Sequence, residues 1–379
     1  MKKQYLMTPG PTPVPPEALL SMARPIIHHR TRQFKNILKE AIEGLKYVMQ
    51  TENDVFIFTS SGTGAMESAV SNVLSPGDKA LVVKGGKFGE RWEKIAQSYG
   101  IEVIPIDCEW GKSVDPAAIK AKLKQGKDIR AVYTTLCETS TGVVNDIEAI
   151  GKIVSKTQAI LIVDAISGLG AVEFKTDGWG VDIAIAGSQK GLMIPPGLAF
   201  VSITKKAWKL VEEAKSPCYY FSYKQAKKSA DKTDTPWTPA VSLVIALVET
   251  LKIIKAETIE ATLQRHKKMA GAVRAAVLGL GLKLLAHDTP SDAVTAIELP
   301  KSIDGSELIK TMRDKYGVSI AGGQEKLKGK ICRIATMGFM TEFDVIVAIS
   351  CLEIVLKEMG YSVEFGTGVR AAQEALFSV

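Results

Sequence analysis

Three places in the chain carry residue types that chemistry could use. Lys190 stands in Ala186-Gly187-Ser188-Gln189-Lys190-Gly191, just beyond the apolar run 183–186 and ahead of the tight turn Ile194-Pro195-Pro196-Gly197. Lysines usually decorate helix surfaces. One at the mouth of a buried strand, flanked by glycines that admit something bulky, loses solvent around its amine and becomes a usable nucleophile. Asp164 ends the run Ile160-Leu161-Ile162-Val163 and precedes Ala165-Ile166-Ser167-Gly168. A carboxylate at the carboxyl edge of an apolar strand is costly unless paired, although taken singly it reads as a turn or capping aspartate. The third place is Ser60-Ser61-Gly62-Thr63-Gly64-Ala65-Met66-Glu67, between a strand-sized run at 55–59 and a helix beginning near Ala65. Exposed amides and the positive end of a helix dipole make a phosphate site there, to which the Ser61 and Thr63 hydroxyls can add hydrogen bonds. Alone, the same segment is equally a capped helix start. A dinucleotide fingerprint is excluded, because Glu67 stands where Gly or Ala is required.

Lys190 and Asp164 explain together what neither explains alone. A lysine amine able to form a Schiff base, with an upstream carboxylate to keep a pyridinium nitrogen protonated, is the pair that pyridoxal 5′-phosphate (PLP) requires.

The elements that would position this pair are short apolar runs separated by helical patterns. Runs at 55–59, 80–83, 102–106, 131–134, 160–163 and 183–186 are strand-sized. Their alternation with helices predicts α/β architecture, a mainly parallel sheet covered by helices on both faces, with chemistry at the carboxyl ends of the strands. Turn formers at Thr8-Pro9-Gly10-Pro11-Thr12-Pro13 predict an extended arm over residues 1–30, followed by a long helix at about 31–50. A large domain over 31–250 would then give way to a smaller C-terminal α+β domain over 251–379. In it we expect a long charged helix through 258–278, a strand at 293–299, a helix at 305–316, a strand around 331–334 and a helix at 341–359.

The 379 residues are 46% hydrophobic and 23% charged, enough apolar material for a large core. The net charge of +7 is spread rather than gathered into a basic arm, so no nucleic-acid partner is expected. No apolar stretch is long enough for a membrane span or a signal peptide. The five cysteines, Cys108, Cys137, Cys218, Cys332 and Cys351, are far apart and odd in number, which fits reduced thiols in a cytoplasmic protein. His28, His29, His266 and His287 show no metal-ligand spacing with them, so no metal is expected.

The chain resembles the class V aminotransferases of PLP fold type I, the alanine–glyoxylate and serine–pyruvate branch. The likeness runs nearly end to end: Pro9-Gly10-Pro11-Thr12, Ser61-Gly62-Thr63, Gly86-Lys87-Phe88-Gly89-Glu90-Arg91, Glu138-Thr139-Ser140-Thr141-Gly142, Val163-Asp164, Gly187-Ser188-Gln189-Lys190 and Thr235-Pro236-Trp237-Thr238-Pro239. It implies the fold type I large domain with a seven-stranded type of sheet. By resemblance, Lys190 forms the Schiff base with PLP and Asp164 pairs with the pyridine nitrogen. Ser61, Gly62, Thr63 and Gln189 hold the phosphate. Phe88 stacks on one cofactor face and Ile166 packs on the other, with Thr139 near the phenolic oxygen. Arg333 clamps the substrate α-carboxylate. Thr235 matches a position that reaches the phosphate of a neighbouring subunit, implying a homodimer with shared active sites. Without the resemblance, Phe88, Thr139 and Ile166 would read as core or strand-end packing, Thr235 as a turn and Arg333 as a surface ion pair.

The implied activity moves an amino group from a small amino acid (alanine, serine or aspartate) to a 2-oxo acid, glyoxylate or pyruvate, with Lys190 carrying the proton. Two departures from the family pattern, Thr63 for a frequent His and Phe88 for a frequent Trp, bear on substrate choice. The alternatives are a PLP lyase of the cysteine desulfurase type and a non-catalytic subunit that keeps the fold. Against the lyase, Gln189 stands where those enzymes usually carry His, and Cys332 sits on an expected strand rather than on a mobile loop. His28 and His29 receive no role.

Overall fold

The computed structural model describes residues 3–126 and 128–377. At its centre is a seven-stranded sheet in the spatial order Asp54–Ser60, Gly197–Ile203, Ile183–Gly187, Ile160–Asp164, Ile129–Thr135, Lys79–Lys84, Glu102–Asp107. Gly197–Ile203 opposes both of its neighbours, and the other pairs in the sheet are parallel. The six apolar runs are all strands here. The seventh, Gly197–Ile203, follows directly on the Pro195-Pro196 turn, which reverses the chain and inserts it beside Ile183–Gly187.

The strands read as unbroken apolar runs because both sheet faces are covered. Successive side chains point to opposite faces. Leu161 and Val163 join a core with Leu38, Leu45 and Val244 from the helices Arg32–Met49 and Val241–Glu257. Ile160 and Ile162 join a second core with Met66 and Trp92 from the helices Gly62–Ser71 and Lys87–Ser98. Each fully buried aliphatic or aromatic side chain contributes roughly 1.5–3 kcal/mol from burial. The helix Arg32–Met49 starts at Thr31, whose side chain accepts the Phe34 amide, and stops at Gln50, which is left-handed at φ 51°. Its buried residues Phe34, Leu38, Ala41, Leu45 and Val48 repeat every three or four positions, the stripe of a helix on a core.

A four-stranded antiparallel sheet, Lys283–Leu284, Val294–Glu298, Ile331–Ala335 and Ala321–Gly322 in spatial order, lies toward the C-terminus. With the helices Ile259–Gly279, Gly305–Tyr316, Glu342–Glu358 and Thr367–Phe377 it encloses its own core, including Val273, Leu308, Ile334 and Leu352. The long charged helix expected through 258–278 is Ile259–Gly279; it is preceded by the helix Val241–Glu257 and parted from it at Thr258 (φ 71°), whose hydroxyl accepts the Ala261 amide. Residue 250 therefore lies inside a helix. Near the start of the chain, Tyr5–Leu6 pairs in parallel with Val318–Ser319, and the Met7 carbonyl accepts the Ala335 amide at 2.9 Å. From that edge the chain runs directly to the turn carrying Lys190.

Candidate active site

The parallel strands Ile129–Thr135, Ile160–Asp164 and Ile183–Gly187 end along one edge of the central sheet, with Thr135 opposite Asp164 and Asp164 opposite Ile185. Asp54–Ser60 ends at the same edge, where Ser60 pairs with Gly197. The first turn of the helix Gly62–Ser71 starts there. Strand polarity thus brings Ser61, Gly62, Thr63, Asp164, Gln189 and Lys190 to one rim.

Lys190 sits in a turn fastened from several sides. The Ser188 hydroxyl donates to the Pro195 carbonyl at 2.8 Å and accepts the Leu198 amide at 3.2 Å, while the Met193 amide returns to the Lys190 carbonyl at 3.1 Å. Thr12 closes the turn from the arm: its amide donates to the Gln189 carbonyl at 3.2 Å and its hydroxyl to the Lys190 carbonyl at 3.0 Å. The lysine side chain runs along Gly10 and donates to the Pro9 carbonyl. Burial lowers its ammonium to about 8 against the attraction of Asp164. An amine near 8 is about one-tenth unprotonated at pH 7, far more than a lysine at its usual value, which suits a nucleophile or base.

Gly10 makes room for that side chain. Its φ is +139°, and a Cβ there would fall 2.3 Å from Lys190 Nζ. Gly10→Ala is therefore expected to expel the lysine from its place and to destabilise the fold by about 1–3 kcal/mol. Thermal unfolding together with a turnover assay would check this; a variant with wild-type melting and turnover would refute it.

Asp164 is 5% exposed. Its Oδ1 accepts the Ile166 amide at 2.8 Å. Burial raises the carboxyl to about 7, with the Ile166 hydrogen bond opposing the rise. Ile166 packs on Gly62, whose Cβ would lie 2.5 Å from Ile166 Cδ1. The Thr139 and Ser167 hydroxyls share a hydrogen bond of 2.5 Å, tying the segment after Asp164 to the neighbouring loop. Gln189 Oε1 is buried without a partner, beside Gly187 and Ile166.

Arg333 arrives from the other sheet. It is 5% exposed, donates from Nε and Nη2 to the Gly322 carbonyl at 2.9 and 2.7 Å, and from Nη1 to the Thr139 carbonyl at 2.8 Å. Burial brings its guanidinium down to about 10. Arg333 is not the surface ion pair that it would be taken for without the resemblance: it is buried, and no carboxylate pairs with it among the described residues.

Two anchors of the site were quoted in the sequence motifs without a role. Glu138, buried, accepts the amides of Phe88 (3.1 Å), Gly89 (3.0 Å) and Ser140 (3.2 Å) and the Ser140 hydroxyl (2.5 Å). Ser140 Oγ in turn accepts the Lys87 amide at 3.0 Å. Glu138 and Ser140 together cap the helix Lys87–Ser98 in place of a local N-cap side chain and so set the half-buried Phe88 at the rim. A carboxylate at 138, directly after the apolar run 131–134, was the only available signal. Thr235 is placed elsewhere. Its hydroxyl donates to the Trp237 carbonyl at 2.8 Å, and its carbonyl accepts Arg30 Nη1 at 2.8 Å, beside the edge strand Asp54–Ser60. Among the described residues it joins none of the other site residues by a hydrogen bond. His28 and His29 lie against each other, ring centroids 4.8 Å apart, and His28 Nδ1 accepts the Arg30 amide.

Among the described residues, no group of three or more His, Cys, Asp and Glu is placed to hold a metal ion, and no helix is long and apolar enough to cross a membrane.

The aminotransferase class V family matches residues 4–345. The chain is 44% identical to the soluble hydrogenase 42 kDa subunit of Anabaena cylindrica over 98% of either chain. It is 38% identical to the L-aspartate–glyoxylate aminotransferase of Paracoccus denitrificans, over 97% of this chain and 95% of that one. It superposes on the crystal structure of ureidoglycine–glyoxylate aminotransferase from Bacillus subtilis with a TM-score of 0.94 and 30% identity, over 99% and 98% of the two chains.

Proposed function

The chain belongs to the class V aminotransferases and is a PLP-dependent transaminase, and on that premise we propose that it moves the amino group of alanine, serine or aspartate to glyoxylate or pyruvate in the two half-reactions of a ping-pong course. The observation that carries this reading is the meeting of three charged groups from distant parts of the chain: Lys190, Asp164 and, through the Thr139 carbonyl, Arg333.

The donor set suits the cofactor. Gln189, whose side-chain amide oxygen lies buried and unpartnered, would turn its amide so that the NH2 donates to a phosphate oxygen. Ser61 and Thr63 are exposed at the start of a helix with no side-chain cap, which suits the same phosphate. Asp164, buried and without a cation at hydrogen-bond distance, suits a pyridinium nitrogen. When bound, PLP supplies an electron sink for the bonds broken at the substrate α-carbon.

The chain's own residues do the rest. Lys190 Nζ would bind the cofactor and, once released by substrate amine, would take and return the proton at the substrate α-carbon. Its depressed basicity lets it act in both directions near neutral pH. Asp164 would hold a ring nitrogen protonated. Arg333, exchanging a carbonyl partner for the α-carboxylate, orients the substrate by two parallel hydrogen bonds. Phe88 and Ile166 would hold the ring and Thr139 would bond near its phenolic oxygen. Arg333→Lys is accordingly expected to lower kcat/KM for the amino donor by about 10²-fold, mainly through KM, since lysine lacks the planar fork. Initial rates over a donor series test this, and an unchanged KM would count against the clamp.

We also propose a homodimer in which Thr235 reaches the partner's phosphate site, and a cytoplasmic location, in keeping with five unpaired cysteines. The lyase alternative is not favoured: Cys332 is fully buried and its thiol is pushed up to about 12, far from a nucleophilic thiolate.

The test is the visible absorption spectrum of the purified protein before and after alanine, serine or aspartate, with no oxo acid present. A yellow protein whose band bleaches with one donor supports the reading and identifies that donor. A protein that stays colourless after incubation with PLP would sink it and favour a non-catalytic subunit.

A further inference from the structure

A phosphate monoester carries nearly two negative charges at neutral pH. The residues proposed above to hold it, Ser61, Gly62, Thr63, Gln189 and the partner's copy of Thr235, include no cation. One lies beside them. Arg91, on the helix Lys87–Ser98 one turn beyond Phe88, donates from Nη1 to Thr63 Oγ1 at 3.0 Å. Its guanidinium also lies over the Phe88 ring, 4.8 Å from the centroid. It is partly buried, and among the described residues no carboxylate pairs with it. A partly buried arginine without a carboxylate partner is placed to receive an anion. Its positive field reaches the site, lowering both the Asp164 carboxyl and the Lys190 ammonium.

We propose that Arg91 is the cationic member of the phosphate cradle, pairing with the ester phosphate of the cofactor alongside Thr63. This rests on reading the 61–63 loop as the phosphate site. The arrangement is built for the task. One N–H of the five that arginine offers is committed to Thr63 and the guanidinium rests on the Phe88 ring, which leaves further donors of its planar fork for an anion. Arg91 thereby links two contacts of the cofactor, the stacked ring and the phosphate, through one side chain.

The test compares affinities of the full-length, cofactor-stripped protein for PLP and for pyridoxal, which lacks the phosphate. Binding is followed by absorbance in wild type, Arg91→Gln, Arg91→Lys and Phe88→Leu. Arg91→Gln should weaken PLP about 10- to 100-fold while leaving pyridoxal within about threefold, so that the preference for the phosphorylated form collapses. Arg91→Lys should keep most of that preference, and it carries the comparison if the glutamine variant does not fold. Phe88→Leu should weaken both ligands alike. Equal loss of PLP and pyridoxal in Arg91→Gln, or no loss of either, would overturn the proposal and leave Arg91 as a brace for Phe88; so would an Arg91→Lys variant that has lost the preference entirely. A wild-type protein with no preference for PLP over pyridoxal would instead defeat the underlying reading of the 61–63 loop.

Discussion

Lys190→Ala is expected to slow each half-reaction by about 10²- to 10⁴-fold, the range by which a positioned acid–base group accelerates proton transfer, with further loss from the missing covalent attachment. Other cations at the rim cannot substitute. Arg333 stays protonated at neutral pH even with burial bringing it to about 10, and it is held by the Gly322 and Thr139 carbonyls. Asp164, the other titrating group, is bonded to the Ile166 amide at the nitrogen side of the proposed ring. The measurement is a single-turnover reaction of the cofactor-loaded variant with donor, followed by stopped-flow absorbance, with borohydride reduction as a separate check on covalent attachment. A variant within tenfold of wild type would show that the proton is carried by another group.

Asp164→Asn carries the second large effect, and it appears in two observables. Turnover should fall about 10²- to 10³-fold, because a neutral amide no longer stabilises a protonated ring nitrogen. Stability should shift with pH in the opposite sense to an ordinary salt-bridged aspartate. The folded-state carboxyl is raised from 3.8 to about 7 by burial, so the folded protein binds the proton more tightly than the unfolded one. The destabilisation is absent below about 4, grows as pH rises, and is complete above about 7. At 1.36 kcal/mol per unit, the carboxylate destabilises the cofactor-free fold by at most about 4 kcal/mol. Lys190, lowered from 10.5 to about 8, destabilises in the complementary sense, fully below about 8 and less as pH climbs toward 10.5. Both penalties therefore overlap near pH 7–8, where the cofactor-free protein is weakest and cofactor binding should stabilise it most. Cofactor-free Asp164→Asn should thus melt above wild type at pH 8 and level with it near pH 4. A gap that is constant or reversed between those two pH values would refute the assignment of burial as the cause.

The central sheet was legible wherever a strand is covered on both faces, because burial then demands an unbroken apolar run. Ile160-Leu161-Ile162-Val163 and Ile183-Ala184-Ile185-Ala186 needed no partner to be recognised. Gly197–Ile203 escaped because its run emerges straight from the Pro195-Pro196 turn and its place, antiparallel between two parallel neighbours, is a property of pairing. The helix Val241–Glu257 escaped because it straddles residue 250, where the change of texture reads as a domain boundary, and only the positive φ of Thr258 parts it from the next helix.

The same division runs through the site. Lys190 and Asp164 could be singled out from sequence because a charge next to a buried strand contradicts its surroundings, and that contradiction is local. The partners that make them usable are remote in the chain. Pro9 and Thr12 reach the Lys190 turn across 181 and 178 positions, and Arg333 reaches Thr139 across 194. Glu138 caps a helix that begins some fifty residues earlier, and Arg91 meets Thr63 across 28 positions. Sequence alone determined which side chains could bear charge beside the sheet, because solvation and strand burial are set by neighbours in the chain. Tertiary structure decided which of those charges face one another, because the carboxyl ends of non-adjacent strands and an arginine from a second sheet converge only once the chain has packed.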